Sequence, residues 1–102
     1  MKLKRWKTIW VKNLKERPKD GTDYIGAWEG IKGTASGCSN LDCENEDKNP
    51  TLVGGHVIKV DSDDKSWYIT PLCHKCNSSE NETPMRVYEN RLIPYEVIKD
   101  IK

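Results

Sequence analysis

The stretches Cys38-Ser39-Asn40-Leu41-Asp42-Cys43 and Pro71-Leu72-Cys73-His74-Lys75-Cys76 decide how this chain folds, because they contain all four of its cysteines. Four residues separate the first pair of cysteines, two separate the second pair, and 29 residues lie between the pairs. Two cysteines at such a spacing reach one ion from a single turn, and two such pairs complete the tetrahedral thiolate shell of a structural zinc site. We therefore predict one zinc ion bound by Cys38, Cys43, Cys73 and Cys76.

Two disulfides, a redox-active pair and an iron–sulfur cluster are the alternatives to zinc. Disulfides need an oxidising compartment, and no apolar run follows the charged start of the chain, so no secretory signal is expected. A redox Cys73-x-x-Cys76 motif would leave Cys38 and Cys43 unexplained. A cluster also takes four thiolates, but presentation on a hairpin and a helix favours zinc. His74 is expected to be an exposed residue of the turn rather than a ligand.

The composition predicts a thin apolar core. Leu, Ile and Val number 20 among 102 residues, and Phe is absent, which is close to the ~20% below which many chains stay disordered. The four tryptophans are therefore expected to supply much of the core, and a bound metal ion would add folding free energy. No apolar run approaches the ~18 residues of a transmembrane helix, so no membrane partner is expected and a cytoplasmic location is predicted.

Hydrophobic patterning predicts an α+β fold in a single domain over residues 1–102. A Gly54-Gly55 pair interrupts one predicted strand and indicates a bulge or a close approach of backbone. Pro84 would end a short helix that begins just after Cys73. The predicted strands cover residues 3–15, 24–31, 52–60, 66–70 and 86–93, and the predicted helix covers residues 74–82.

The order of these motifs resembles the zinc-bound branch of the HNH endonuclease superfamily. The resemblance rests on the Cys38-x4-Cys43 pair, the stretch 52–58 (LVGGHVI) and the stretch 67–77 (WYITPLCHKCN). It implies a treble clef over residues 38–82, which consists of a zinc knuckle, a β-hairpin and a short helix. Residues 1–37 and 83–102 would then add flanking strands.

The same resemblance implies where catalytic residues would lie. His56 occupies the position of the general base, whereas Gly55 stands where the family has a metal-binding acid or histidine. Tyr68 replaces the middle asparagine, and Asn77 stands where a metal-binding histidine is usual. Because Mg²⁺ binds through oxygen ligands, usually carboxylates, we expect a non-catalytic module. The alternative is a divergent metal-dependent endonuclease with His56 as general base and Asn77 on the metal.

Basic residues concentrate at the start of the chain and suggest a partner. Residues 1–19 carry a net charge of +7, although the whole chain carries only +1. Cations neutralise phosphates and aromatic rings stack on bases, so a DNA or RNA interface is predicted here. A protein partner is equally open, and a lysine-rich edge strand also protects against aggregation without binding anything. The predicted interface consists of Lys4, Arg5, Trp6, Lys7, Trp10 and Lys12.

Overall fold

The computed structural model describes residues 7–14, 21–45, 50–78 and 81–100 as a small α+β domain. Five strands form one antiparallel sheet, two helices pack against it, and a short 3₁₀ helix covers Glu89–Arg91. Neither helix has the length and apolar character that crossing a bilayer requires in this described part of the chain. The elements in chain order are β1 (Thr8–Asn13), α1 (Tyr24–Lys32), β2 (Leu52–Lys59), β3 (Trp67–Cys73), β4 (Met85–Tyr88), β5 (Ile93–Pro94) and α2 (Tyr95–Lys99).

The sheet is built around the β2–β3 hairpin that the sequence predicts. The strand order is β4-β1-β2-β3-β5, so β1 inserts between β2 and β4. The β2–β3 ladder runs without a break from the pair Leu52–Cys73 to the pair Ile58–Trp67. The Gly54-Gly55 pair is therefore no bulge but a place of close backbone approach. A Cβ on Gly54 would lie 2.6 Å from Cβ of Tyr24, because α1 packs directly on this strand.

Residues 24–32 form helix α1, so the predicted strand over 24–31 is wrong. Asp23 caps the helix, since its carboxylate accepts a hydrogen bond of 3.0 Å from the backbone N–H of Gly26. The helix buries Trp28, and the indole N–H of Trp28 donates to the carbonyl oxygen of Arg91 over 2.9 Å. Burial of one large aromatic face outweighs the weak helix propensity of Gly26 and Gly30.

Two apolar clusters lie on opposite faces of the sheet, because the side chains of a strand alternate between faces. One cluster is buried beneath the loop that bears Cys38 and Cys43, and the other lies beneath the two helices. The first cluster includes Val11, Val57, Leu72, Met85 and Val87, and the second includes Trp28, Ile69, Ile93 and Ile98.

The loop that begins at Cys38 joins strands that are far apart in the sheet. The backbone N–H of Ser39 donates to the carbonyl of Pro71 in β3, and that of Leu41 donates to the carbonyl of Arg86 in β4, both over 2.8 Å. Two other strands, β1 and β2, separate β3 from β4. The sheet is therefore curled, and the cysteine loop closes it over the first apolar cluster.

Two further predictions about secondary structure need correction. The helix predicted over 74–82 is absent from described residues 74–78, where β3 ends at Cys73 and a hydrogen-bonded turn follows. The N–H of Asn77 donates to the carbonyl of Cys73 over 2.9 Å and closes that turn. Residues 83–102 contain not only strands but also α2 and the 3₁₀ helix. The described elements confirm the α+β class and the hairpin but do not include the helix of a treble clef.

Candidate metal centre

Four cysteines that are distant in sequence meet at one end of the sheet. Cys38 and Cys43 lie on the loop between α1 and β2, Cys73 is the last residue of β3, and Cys76 lies in the turn that follows. All four Sγ atoms lie within 4.8 Å of one another, and the residues form no disulfide. Sγ of Cys43 lies 3.7 Å from Sγ of Cys73 and 3.6 Å from Sγ of Cys76.

These distances fit four sulfurs around one ion. A tetrahedral centre with metal–sulfur bonds of about 2.3 Å places its sulfurs about 3.8 Å apart. A disulfide bond would instead bring two of them to about 2.05 Å. The four cysteines can therefore hold a metal ion, as their spacing predicts.

Nitrogen donors surround the sulfurs. The backbone N–H of Cys73 donates to Sγ of Cys38 over 3.4 Å, and the backbone N–H of Asn45 donates to Sγ of Cys43 over 3.5 Å. The side-chain amide of Asn40 donates to Sγ of Cys76 over 3.4 Å. Because hydrogen bonds to an ionised group favour its charged form, these donors favour the thiolates that a metal requires.

Burial and hydrogen bonding act in opposite directions on the thiols. Burial raises the pKa of Cys38 and the pKa of Cys76 above the ordinary thiol value. Burial also opposes ionisation of Cys73, but hydrogen bonds from Asn45 and Cys76 outweigh it and lower the pKa of Cys73 to about 7. Four sulfurs so close together, two of them on buried residues and two on partly buried ones, do not all ionise without a compensating cation. The cluster therefore suits a divalent ion rather than four free thiols.

Two polar side chains that the sequence analysis did not single out support the loops around the cysteines. The amide of Asn13, at the end of β1, donates to the carbonyls of Cys76 and Asn81 over 2.7 and 3.2 Å. The guanidinium of Arg91 donates to the carbonyl of Gly37 over 2.8 Å. The sequence does mark Asn13, because it is a polar residue two positions after Val11 and therefore lies on the same inward face of β1.

His56 and Asn77 do not come together in the way that a shared catalytic site requires. His56 is 4% exposed, and its ring meets the ring of Tyr24 edge-on, with 4.4 Å between centroids. Asn77 lies on the other side of β2, since a Cβ on Gly55 would be 2.9 Å from its Oδ1. Gly55 and His56 are neighbours on one strand, so they face opposite sides of the sheet.

The described part of the basic segment presents Trp10 to solvent. Trp10 is 51% exposed, and it pairs with Arg86 of β4 while Lys12 lies two residues further along the same face of β1. Lys7 precedes β1 and forms an ion pair with Glu89 at 3.8 Å. The predicted interface residues Lys4, Arg5 and Trp6 lie outside the described residues.

Comparison of the chain with protein-family models, with curated proteins and with solved structures finds no match.

Proposed function

We propose that the four cysteines hold one zinc ion whose role is structural. The observation that carries this proposal is the group of four unlinked Sγ atoms within 4.8 Å of one another, with nitrogen donors directed at three of them. Thiolates are soft ligands, and a complete Cys₄ shell is typical of closed, structural zinc sites. A tetrahedral site with four protein ligands leaves no open position for a reacting water, so the role of the ion would be to stabilise the fold.

The ion would supply stability that the thin core lacks. It would tie the loop at Cys38 and Cys43 to the end of β3, and this loop already bonds to β3 and to β4. Because a metal site forms only in the folded chain, its binding free energy becomes folding free energy. The zinc knuckle and the β2–β3 hairpin follow the order of a treble clef, and we propose that the domain is a variant of it with a turn after Cys73.

We further propose that the domain is a non-catalytic module that binds single-stranded nucleic acid. The binding surface would be the face of β1 and β4 that contains Trp10, Lys12 and Arg86, which we call the β1–β4 face. The helices pack on β2, β3 and β5, and the β1–β4 face is exposed at all three of these residues. The exposed indole of Trp10 offers stacking to a base, and Lys12 offers neutralisation to a neighbouring phosphate. Arg86 pairs with Asp42 at 3.4 Å on the surface, so a phosphate would have to displace that carboxylate to use this second cation.

The separation of His56 from Asn77 is the reason for preferring binding to catalysis. Phosphodiester hydrolysis by an HNH-type enzyme needs a general base and a bound metal ion that both act on the same phosphate. Gly55 supplies no ligand, and the ring of His56 packs among Tyr24 and Tyr95 beneath the helices. The alternative proposal of a divergent endonuclease therefore has no assembled pair of groups to support it.

Binding can be tested by fluorescence anisotropy with a labelled single-stranded oligonucleotide over a range of salt concentrations. We expect Trp10→Ala to weaken binding by about tenfold, since stacking of one base is worth ~1–3 kcal/mol. Lys12→Gln should reduce the salt slope by about 0.7, the value for one phosphate contact on a single strand. Val97→Ala and Lys99→Gln change exposed residues of α2, which packs on β3 and β5 rather than on β1 or β4, and these controls should leave both quantities unchanged. Absence of salt-dependent retention by the wild type would reject the proposal.

The nuclease alternative has its own assay. Supercoiled plasmid is incubated with Mg²⁺ or Mn²⁺ and either the wild type or His56→Ala. We expect no nicking by either protein. Metal-dependent nicking that His56→Ala abolishes would reject the non-catalytic proposal, whatever the anisotropy measurement shows.

A further inference from the structure

A cavity of about 330 Å³ lies between the end of α1 and the segment that joins β4 to β5. Its wall includes two cationic side chains, Lys32 and Arg91, and two hydroxyl side chains, Thr34 and Ser36. Tyr88 and the buried Trp28 supply aromatic surface. The wall therefore combines positive charge, hydrogen-bond donors and flat apolar surface, which is the chemistry of a site for a phosphate group beside a ring.

The lining of this cavity differs from that of the other clefts because it contains no carboxylate. Four other clefts on the described surface each include at least one acidic side chain in their walls, among them Asp61, Asp42, Glu96 and Glu82. The cavity at Lys32 and Arg91 includes none. The two cations of the wall attract anions. One acid is bonded close by, since the carboxylate of Glu29 accepts a hydrogen bond of 2.7 Å from the backbone N–H of Ala35, which lies between Thr34 and Ser36.

Arg91 is the second cation of this wall, and Cys38, not a carboxylate, is the group whose negative charge favours the charged form of its guanidinium. The side chain is partly buried, with its guanidinium 5.6 Å from the ring centroid of Trp28 and one nitrogen donating to the carbonyl of Gly37. Its Nε is buried and has no hydrogen-bond partner, and no carboxylate of the described residues lies within ion-pair distance of the guanidinium. A partly buried guanidinium without a paired carboxylate pays a desolvation cost, and an anion in the cavity would compensate its charge through the nitrogens that face the cavity.

We propose that this cavity binds a phosphate group, with Lys32 and Arg91 as the cations and Thr34 and Ser36 as hydroxyl donors. Guanidinium and ammonium groups make charge-assisted hydrogen bonds with phosphate oxygens, and these are the strong ones. The carboxyl end of α1 disfavours an anion, but Lys32 in the last turn offsets that effect. The phosphate comes from a free nucleotide or from the end of a nucleic-acid strand.

The position of Tyr88 favours a strand as the source. Tyr88 pairs with Thr8 and lies on the same face of the sheet as Arg86 and Trp10, two residues from Arg86 along β4. The cavity is therefore continuous with the β1–β4 face, and a strand stacked on Trp10 would direct its terminal phosphate into the cavity. This choice of source rests on the proposed function, whereas the phosphate site itself does not.

Arg91 also contacts the cysteine loop, so the test must distinguish an effect on that loop from an effect on ligand binding. The carbonyl that it holds belongs to Gly37, which precedes the metal-binding Cys38. Substitution of Arg91 therefore risks loss of the metal as well as loss of the anion. Lys32 is exposed and lies in the last turn of α1, so it serves as the second, independent variant.

The experiment is isothermal titration of the full-length, metal-loaded protein with inorganic phosphate, with a nucleoside 5′-monophosphate, and with one oligonucleotide carrying either a 5′-phosphate or a 5′-hydroxyl. Metal content is measured for every variant. We expect the 5′-phosphate to tighten oligonucleotide binding at least fivefold in the wild type. Lys32→Gln and Arg91→Gln should abolish that gain and weaken binding of inorganic phosphate, whereas Lys65→Gln should change neither.

Each outcome has a distinct meaning. Binding of phosphate and nucleotide without binding of either oligonucleotide would support the phosphate site and reject the proposed function. Equal binding of both oligonucleotides by the wild type, together with no binding of phosphate or nucleotide, would reject the phosphate site and leave the β1–β4 face intact. Equal binding of both oligonucleotides with Lys32-dependent binding of phosphate would reject only the strand as the source. If Arg91→Gln loses its metal, the result for Lys32→Gln decides, and unchanged phosphate binding in that variant would overturn the proposal.

Discussion

The side-chain amide of Asn13 donates to the backbone carbonyl of Cys76 over 2.7 Å, although the two residues are 63 positions apart. Asn13 is 8% exposed and ends the strand that lies next to the hairpin. The same amide reaches the carbonyls of Ser78 and Asn81, so one side chain holds three carbonyls of the segment that begins at the last of the four cysteines. Asn13 thus fixes the turn from which Cys76 points at the other sulfurs.

Replacement of Asn13 by alanine should therefore weaken both the fold and the metal site. Buried carbonyls that lose their donor cost about 1–3 kcal/mol of unfolding free energy, and loss of an outer-shell partner typically reduces metal affinity 10–100-fold. Urea unfolding and a competition titration with a chromophoric chelator measure the two effects. Lys12→Ala, an exposed neighbour on the same strand, is the control. Equal stability and metal affinity of Asn13→Ala and the control would contradict this role.

Removal of the metal should unfold the domain. Structural zinc binding is worth roughly 10–16 kcal/mol in small domains, which matches or exceeds the ~5–15 kcal/mol by which a whole domain is stable. Circular dichroism should therefore show loss of the cooperative thermal transition after chelation, and Cys73→Ser should behave likewise. His74→Ala changes an exposed residue between two of the cysteines and should retain the transition. A chelated protein that melts at its original temperature would show that the fold does not depend on metal.

Addition of one methyl group at Gly54 should separate α1 from the sheet. A Cβ there would lie 2.7 Å from the backbone nitrogen of Ile25, a rigid atom that cannot move without the helix. We expect Gly54→Ala to destabilise the fold by about 1–3 kcal/mol in urea unfolding, the usual cost of overpacking. Gly30→Ala meets nothing within 4 Å and should raise stability by about 0.5–1 kcal/mol through helix propensity. If the two variants changed stability in the same direction, the close approach would have no energetic consequence.

The contact between Tyr68 and Asp64 should make stability depend on alkaline pH. The Tyr68 hydroxyl donates to the Asp64 carboxylate, and this hydrogen bond, together with burial, raises the pKa of Tyr68. Because the neutral phenol is favoured in the folded state, the contribution is complete below the unfolded pKa of about 10 and is lost as pH rises through the folded pKa. The stability advantage of the wild type over Tyr68→Phe should therefore shrink above pH ~10.

Absorbance of tyrosinate gives an independent measurement of the same contact. The difference between the titration curves of the wild type and Tyr68→Phe reports the ionisation of Tyr68 alone. Its midpoint should lie above that of a free tyrosine, and Asp64→Asn should move it downward. A midpoint at the ordinary value in the wild type would contradict the hydrogen bond to Asp64.

The metal site and the hairpin were predictable because each depends on local spacing. Cysteine pairs with four and two residues between them identify one four-sulfur cluster, and the β-branched residues Val53, Val57 and Ile58 identify a strand. The cluster can be predicted without the strand order of the sheet, because a bound ion would itself bring the two cysteine pairs together. The curl of the sheet was not predictable, since it depends on bonds from Ser39 and Leu41 to strands that no local pattern connects.

Helix α1 was missed because its residues favour a strand when they are considered one at a time. Tyr24, Ile25, Trp28 and Ile31 are β-formers, and Gly26 and Gly30 weaken any helix. The deciding signals are Asp23, which caps the first turn, and the spacing of Tyr24, Trp28 and Ile31 along one helical face. The opposite error occurred after Cys73, where the segment before Pro84 was predicted to be a helix and a turn closed by Asn77 is present instead.

The hydrogen bond from Leu41 to the carbonyl of Arg86 occupies the rim of β4, which is a terminal strand of the sheet. When the cysteine loop detaches, that rim regains unsatisfied backbone groups, and such groups pair readily with an identical rim on another molecule. We therefore expect loss of the proposed metal to favour aggregation as well as unfolding. Protection of this sheet edge is a second consequence of the position of the loop.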